Sequence, residues 1–270
     1  MKNTLLLGLA FLSASHLCGA SKDYLALGDS VAFGFNPLIA FPPLESDYVG
    51  YPQIVGRQST RLDLLASLAC PGETSGSFLS PTAPDNHCRD FKGAFGLHTN
   101  YAGTQADFAI NLLQSESKIK VVTLSIGGND LILLQIACNN EAACIVNGLP
   151  AVLAEYGRNL AAILTRVRVE GRYAGPIILV SYYSPDYRDQ IQTGGIAALN
   201  GVASQVAALF HVRVADGFNA FLQASAPSGG DTCAAGLLVP VAPGVCDVHP
   251  SAAGQSLLAD SVLKLVPGKP

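Results

Sequence analysis

Four short segments of the chain combine glycine or proline with polar side chains that can take part in chemistry. They read Gly28-Asp29-Ser30, Cys70-Pro71-Gly72-Glu73-Thr74, Gly127-Gly128-Asn129-Asp130 and Asp247-Val248-His249-Pro250. A serine hydroxyl becomes a strong nucleophile when a base removes its proton, and imidazole titrates close to neutral pH. Ser30 and His249 are therefore the candidate nucleophile and general base of an acyl transfer.

Acyl transfer through serine also requires hydrogen-bond donors for the negatively charged oxygen of the tetrahedral intermediate. The candidate donors are the backbone N–H groups of Ser30 and Gly72 and the side-chain amide of Asn129. Gly72 suits this role because it has no side chain to block a substrate. Taken singly, Ser30 could be a helix cap, and Gly72 and Asn129 could be turn residues. Their combination favours catalysis.

Predicted strands and helices alternate along the chain, and their order indicates where the four segments lie in the fold. Apolar runs predict strands at 24–27, 62–69, 120–126, 176–181 and 212–215, and helical spacing predicts helices over 48–60, 102–115, 149–169, 190–209 and 251–265. The alternation predicts an α/β fold, a three-layer α/β/α sandwich with a central, mostly parallel five-stranded sheet. Sites in such sheets lie beyond the carboxyl ends of the strands, where Ser30, Gly72 and Asn129 are expected. Residues 71–100 and 225–247 are predicted to be long surface loops.

The composition excludes several classes of protein. Of the 270 residues, 49% are hydrophobic and 13% are charged, which does not fit a disordered chain. The chain has 16 Lys and Arg against 20 Asp and Glu, so we expect no nucleic-acid partner. Beyond the N-terminus, no apolar run approaches the roughly 18 residues of a transmembrane helix. The motifs G-x-S-x-G and G-x-G-x-x-G, typical of common α/β-hydrolases and dinucleotide-binding proteins, are absent.

The N-terminus is typical of an export signal. Lys2 precedes an apolar run at 5–12, and Cys18-Gly19-Ala20 supplies small residues before a cleavage point. We predict a signal peptide at 1–20, cleavage near Ala20, and a secreted domain, extracellular or periplasmic, at 21–270. Acylation of Cys18 is the alternative, but Leu17 is bulky at a position where a lipoprotein signal requires a small residue.

Six cysteines remain after the predicted cleavage, and an even number in an exported chain indicates disulfides. They form three neighbouring pairs, for which we predict the bonds Cys70–Cys88, Cys138–Cys144 and Cys233–Cys246. A zinc site is the weaker alternative, since neither C-x-x-C nor H-E-x-x-H occurs.

The four segments, in this order and after predicted strands, resemble the blocks of the SGNH (GDSL-type) hydrolase family. Tyr24 to Ser30 resembles the block that contains the nucleophile, and the segments at 70–74, 127–130 and 249–250 resemble the blocks of the two oxyanion donors and the base. The resemblance covers residues 24 to about 265. It implies a flavodoxin-like sheet, Ser30 as nucleophile, His249 as base, and Gly72 and Asn129 as oxyanion donors. It also implies that the reaction needs no metal or organic cofactor.

One position departs from the family pattern. The family usually has an aspartate three residues before the histidine, where this chain has Cys246, and Asp247 lies two residues before. Either Asp247 or a backbone carbonyl near Cys246 could orient His249, and the resemblance to some secreted members leads us to prefer the carbonyl.

The sequence therefore predicts a secreted serine esterase or lipase that acts on a small-molecule or lipid ester. An esterase for acetylated carbohydrate and a non-catalytic binding protein on the same scaffold are the alternatives. We expect specificity to come from loops 31–50 and 73–100 around a shallow site. His98 could line that site, and Tyr182, Tyr183 and Tyr187 could be packing or substrate-wall residues. The sequence does not indicate an oligomeric state.

Overall fold

The computed structural model describes residues 22–40 and 43–266, so the predicted signal peptide at 1–20 lies outside the described residues. Five parallel strands form the central sheet: β1 (Lys22–Gly28), β2 (Asp63–Ser67), β3 (Val121–Ser125), β4 (Ile177–Val180) and β5 (Arg213–Ala215). Their order is β2-β1-β3-β4-β5, which confirms the predicted α/β fold. The strand order reverses between β1 and β3, and the crevice at such a point is the usual ligand site of an open α/β sheet.

Helices flank the sheet. They are α1 (Ser30–Phe33), α2 (Tyr51–Gln58), α3 (Cys88–Phe95), α4 (Gln105–Ser115), α5 (Gly128–Ala137), α6 (Ala142–Thr165), α7 (Gln190–Leu209), α8 (Gly217–Ser225) and α9 (Ala252–Leu263). A π-helical turn, Arg166–Glu170, continues α6. Helices α2, α8 and α9 form one packed group, and α5, α6 and α7 form another. No helix in the described ranges is long and apolar enough to cross a membrane.

The two predicted surface loops contain regular structure. Helix α3 lies within 71–100, and strand β6 (Leu238–Ala242) lies within 225–247 and pairs antiparallel with β7 (Val245–Pro250). Both strands are short and partly exposed, so they lack the long apolar run that marks a buried strand. Helix α6 begins at Ala142 rather than at 149, because Pro150 is accommodated inside the helix and does not start it.

Three disulfides join the pairs expected from the sequence. Cys70 bonds to Cys88 and Cys138 to Cys144, and Cys233 bonds to Cys246. The first bond connects the segment after β2 to the start of α3. The second fixes the C-terminus of α5 to the first turn of α6. The third anchors β7 to the segment that precedes β6.

Helix α9 is tied to the beginning of the domain through Gln255, which is buried. Its side-chain oxygen accepts a hydrogen bond from the Tyr51 N–H at 2.8 Å, and its amide donates to the Val31 carbonyl at 3.1 Å. Since the preceding strand β7 contains His249, these bonds help to fix the position of that strand relative to α1.

Candidate active site

Ser30 is the first residue of α1, directly after β1. The Asp29 side chain caps this helix by accepting a hydrogen bond from the Val31 N–H at 3.0 Å. Gly28 has a φ of +141°, and a Cβ there would lie 2.2 Å from the Ser125 carbonyl oxygen, so glycine is required. The strand and the capped helix thus hold Ser30 at the carboxyl edge of the sheet, where the residue is 8% exposed.

Asp29 is a buried carboxyl group that directly precedes Ser30, the candidate nucleophile. Desolvation raises its pKa from 3.8 to about 7, although hydrogen bonds from Tyr182 and Val31 oppose the shift. The Tyr182 hydroxyl donates to Asp29 Oδ2. The Tyr182 ring also lies against Gly128, where an added Cβ would come within 2.8 Å of it. Tyr182 therefore contacts both the nucleophile segment and the segment that contains Asn129.

His249 and Asp247 lie on β7 and are both partly exposed. The imidazole Nδ1 of His249 is hydrogen-bonded to Asp247 Oδ1, and the same oxygen accepts the His249 backbone N–H at 2.9 Å. Burial alone would raise the pKa of Asp247, but the hydrogen bond and charge of His249 outweigh it and hold that pKa below its usual value. Residues two apart on a strand point to the same face, which brings this carboxylate to the imidazole. The contact favours Asp247 over the backbone carbonyl near Cys246 that we preferred from the sequence.

Further contacts hold the strand of His249 in place. The Tyr183 hydroxyl donates to the Val248 carbonyl at 2.7 Å. The Phe35 ring packs against the imidazole with 4.8 Å between centroids. Cys246 is bonded to Cys233. Strand β7 is thus fixed on both sides of Asp247.

Each of the three candidate oxyanion donors has an N–H group without a hydrogen-bond acceptor in the described part of the chain. Among the described residues, neither the Ser30 N–H nor the Gly72 N–H has a hydrogen-bond acceptor. Asn129 is buried, its Oδ1 accepts from Asn86 Nδ2 at 3.0 Å, and its Nδ2 donates to the Glu73 carbonyl at 2.9 Å. An amide nitrogen carries two hydrogens, so one N–H of Asn129 remains for an oxyanion.

Gly72 has a left-handed φ of +86°, and an added Cβ would lie 1.8 Å from the Asn86 carbonyl oxygen. Its own carbonyl accepts the Asn86 N–H at 2.8 Å. Asn86 therefore donates hydrogen bonds to both candidate donor residues, from its backbone N–H to Gly72 and from its side chain to Asn129. Sequence reasoning missed Asn86, because a single asparagine in a polar segment carries no distinguishing pattern.

A buried polar network lies beneath these donors. The Gln105 side chain accepts the Gly28 N–H at 2.6 Å, and it donates to the Gly28 carbonyl at 2.9 Å and to Glu73 at 3.2 Å. Burial raises the pKa of Glu73 to about 6, while hydrogen bonds from Ser77 and Gln105 oppose the shift. Ligand atoms of Cys70, Glu73 and Cys88 lie within 4.8 Å of one another, but both sulfurs belong to a disulfide. This cluster therefore offers no thiolate to a metal ion.

One cavity of about 380 Å³ brings the candidate residues together, with Ser30, Asn129, Tyr182 and His249 in its wall. Gly72 is not in that wall. No hydrogen bond joins the Ser30 hydroxyl to the imidazole within the described part of the chain. Such catalytic hydrogen bonds often form only when substrate binds.

The rest of the cavity wall is not formed mainly by loops 31–50 and 73–100, which the sequence predicts to surround the site. Among the described residues of segments 31–50 and 73–100, Val31 alone lines the cavity, and helices α5, α6 and α7 supply most of the other lining residues. His98 instead bonds to the Phe33 carbonyl at 2.9 Å and packs on the Phe33 ring. Tyr183 joins Tyr182 in the wall, whereas Tyr187 donates to the Phe218 carbonyl at 2.5 Å.

Solved structures share this fold. Phospholipase A1 from Streptomyces albidoflavus NA297 is 21% identical with a TM-score of 0.60, over 92% of this chain and 100% of that one. A lipase from a goat rumen metagenome is 16% identical with a TM-score of 0.59, over 90% and 96% of the two chains. An acetylxylan esterase from Geobacillus stearothermophilus is 19% identical with a TM-score of 0.54, over 93% and 96%. No curated protein matches the sequence significantly.

The family comparison covers most of the chain. The sequence pattern of the GDSL-like lipase/acylhydrolase family matches residues 26–257, a range that includes Ser30, Asn129 and His249. The chain therefore belongs to the GDSL-like lipase/acylhydrolase family and is a carboxylic ester hydrolase.

Proposed function

We propose that the protein is a secreted esterase or lipase that hydrolyses carboxylic esters through a covalent intermediate on Ser30. The observation that carries this proposal is the single cavity lined by Ser30, Asn129 and His249, with the Asp247 carboxylate against the far nitrogen of the imidazole. This arrangement supports the proposal, because acyl transfer requires a hydroxyl, an imidazole, a carboxylate and an amide donor in these relative positions.

In the first step, His249 Nε2 removes the Ser30 proton as Oγ attacks the ester carbonyl carbon. The resulting oxyanion is stabilised by the N–H groups of Ser30 and Gly72 and the amide of Asn129. The imidazolium is stabilised by Asp247 and returns its proton to the departing alcohol, which leaves an acyl group on Ser30.

In the second step, His249 takes a proton from water, and the hydroxide attacks the acyl carbonyl. Collapse of this second intermediate releases the carboxylic acid, and His249 returns the proton to Ser30 Oγ. Both steps use the same donors, so the site needs no rearrangement between them.

Two measurements on Ser30→Ala test the nucleophile. We expect the folded variant to lose hydrolysis of p-nitrophenyl butyrate by at least about 10⁴-fold and to lose labelling by a fluorophosphonate. Ser117→Ala is the matched control, because Ser117 is exposed and precedes β3, at the end of the sheet opposite the cavity. Unchanged hydrolysis or labelling in folded Ser30→Ala would contradict the assignment.

We also infer that residues 1–20 direct export and that residues 21–270 form one domain. The apolar run at 5–12 and the three disulfides support this inference, because disulfides persist in oxidising compartments. N-terminal sequencing of protein recovered from the medium or periplasm should begin at Ser21. Recovery of the uncleaved chain in the cytoplasm alone would contradict export.

A further inference from the structure

The cavity extends well beyond the residues that the proposed chemistry needs. Away from Ser30 and His249, its wall consists mainly of large aliphatic side chains from three helices. Six of them are Leu131 and Leu134 of α5, Ile145 and Leu149 of α6, and Ile196 and Leu199 of α7. Apart from the fully buried Leu199, all are only partly covered by protein. Partly covered aliphatic side chains around a cavity favour an apolar ligand, since its binding removes their surface from water.

The charged groups of the wall are already engaged. In the cavity wall these groups are Asp29, Asp189 and His249. Asp29 accepts from Tyr182 and Val31, and Asp189 caps α7 by accepting the N–H groups of Ile191 and Gln192 at 3.0 Å. His249 is bonded to Asp247. The cavity therefore offers little to recognise a charged ligand. Three uncharged amide side chains also line it, those of Gln135, Asn140 and Gln192, and Asn140 is exposed.

Gly195 leaves the cavity open on the side of α7. An added Cβ at Gly195 would meet no atom within 4 Å, so neither close packing nor a left-handed backbone requires glycine there. Glycine inside a helix costs about 1 kcal/mol relative to alanine. Because Gly195 is a lining residue, its missing side chain leaves room for a ligand in the cavity.

The opposite wall is held in place. The Cys138–Cys144 bond joins the end of α5 to the start of α6. At Gly148 the two helices approach so closely that an added Cβ would lie 2.6 Å from Leu134. The space between α5 and α7 is thus framed by a fixed helix pair and does not depend on a loop closing over it.

We propose that this cavity is an acyl-chain pocket, so that the ester substrates carry aliphatic acyl chains of medium or greater length rather than acetyl groups. The inference rests on the proposed function, because it assumes that the chain enters the pocket when its carbonyl carbon is at Ser30. An acetyl group would place one methyl group in the pocket and leave most of its 380 Å³ unfilled.

The first test measures kcat/KM for p-nitrophenyl acetate, butyrate and octanoate below their micellar concentrations. Each buried methylene is worth about fourfold in transition-state binding, so kcat/KM should rise from acetate to octanoate. A value highest for acetate would overturn the pocket.

The second test fills the pocket from α7 by Gly195→Leu. We expect the ratio of kcat/KM for octanoate to that for acetate to fall at least tenfold. Gly194→Leu is the matched control. Gly194 is exposed on the same helix, and an added Cβ there would also meet no atom within 4 Å, but Gly194 does not line the cavity. The octanoate-to-acetate ratio of this variant should therefore equal that of the wild type.

Ile145→Phe fills the same space from α6 and provides an independent variant if Gly195→Leu does not fold. An unchanged ratio in the folded variants would overturn the pocket. Fluorophosphonate labelling separates the proposal of the pocket from the proposal of the nucleophile. Normal labelling of Ser30 with an unchanged octanoate-to-acetate ratio rejects the pocket alone. Absence of labelling in the wild type rejects Ser30 as the nucleophile.

Discussion

The Tyr182 hydroxyl donates a hydrogen bond to the carboxyl group of Asp29, 153 residues earlier in the chain. It joins the segment after β4 to the residue that caps α1 and immediately precedes Ser30. Because both groups are buried, the protonation state of Asp29 is coupled to the packing around the segment that contains Ser30. The contribution of Tyr182 to this packing can therefore be measured through the pH dependence of stability.

The pH dependence of stability should report on this pair. Since the pKa of Asp29 is raised from 3.8 to about 7, the folded state binds more protons than the unfolded state between these values. The contribution of Asp29 to the free energy of unfolding therefore falls as pH rises from about 4 to about 7. Asp29→Asn should flatten the decline in thermal stability over this interval.

Tyr182→Phe removes a bond that lowers the pKa of Asp29, so the decline should extend to higher pH. Tyr187→Phe also loses a hydroxyl hydrogen bond but lies away from Asp29, so it should lower stability about equally at each pH. Parallel curves for the wild type and Asp29→Asn would contradict this account.

The contact between Asp247 and His249 should matter for catalysis. Asp247→Asn retains the size of the side chain but removes the charge that stabilises the imidazolium, so kcat/KM should fall by about 10²–10⁴-fold. Asp260→Asn is the control, because Asp260 is exposed on α9 and its carboxylate forms no hydrogen bond among the described residues. Activity of Asp247→Asn within twofold of the wild type would instead favour a backbone carbonyl as the orienting group.

The bond from Asn86 to Asn129 predicts a non-additive pair of substitutions. Asn129→Ala removes an oxyanion donor and should lower kcat by about 10²–10³-fold. Asn86→Ala leaves that donor present but held only by its bond to the Glu73 carbonyl, so kcat should fall less, about tenfold, with little change in KM. In the double variant, loss of Asn86 should add nothing to the loss of Asn129. Fully multiplicative effects would show that Asn86 acts elsewhere.

The Cys233–Cys246 bond should affect both stability and turnover. It closes a loop with a sequence separation of 13, and its removal is expected to lower the free energy of unfolding by about 3 kcal/mol. Because Cys246 is adjacent to Asp247, the double variant Cys233→Ser/Cys246→Ser should also have a lower kcat at temperatures where it is fully folded. Chemical denaturation combined with kinetics measures both effects, and an unchanged kcat would show that β7 is held without the bond.

The sequence predicts the position of a site residue where a polar side chain directly follows a recognisable strand. Ser30 and Asn129 each follow a buried apolar strand and glycine, so their place at the sheet edge was predictable. The contact between Asp247 and His249 is not predictable in the same way. Residues two apart point to the same face only in a strand, and the sequence predicts a loop at 225–247, where the structure has the start of strand β7.

The roles of Asn86 and Tyr182 depend on contacts between distant segments, which local patterns do not encode. The proposed acyl-chain pocket also lies outside what the sequence predicts. No helix is predicted between 126 and 149, where the structure has α5, whose leucines form one wall of the cavity.

The hydrogen bonds of Gln255 join α9 to Val31 and Tyr51, so the histidine end of the domain is fastened to the serine end. Translation produces Ser30 more than two hundred residues before His249. Under the proposed mechanism, a nascent polypeptide that stops before strand β7 has the Ser30 hydroxyl but no base to activate it. Such fragments are then inert, and hydrolysis starts only after β7 has been synthesised and has docked beside α1.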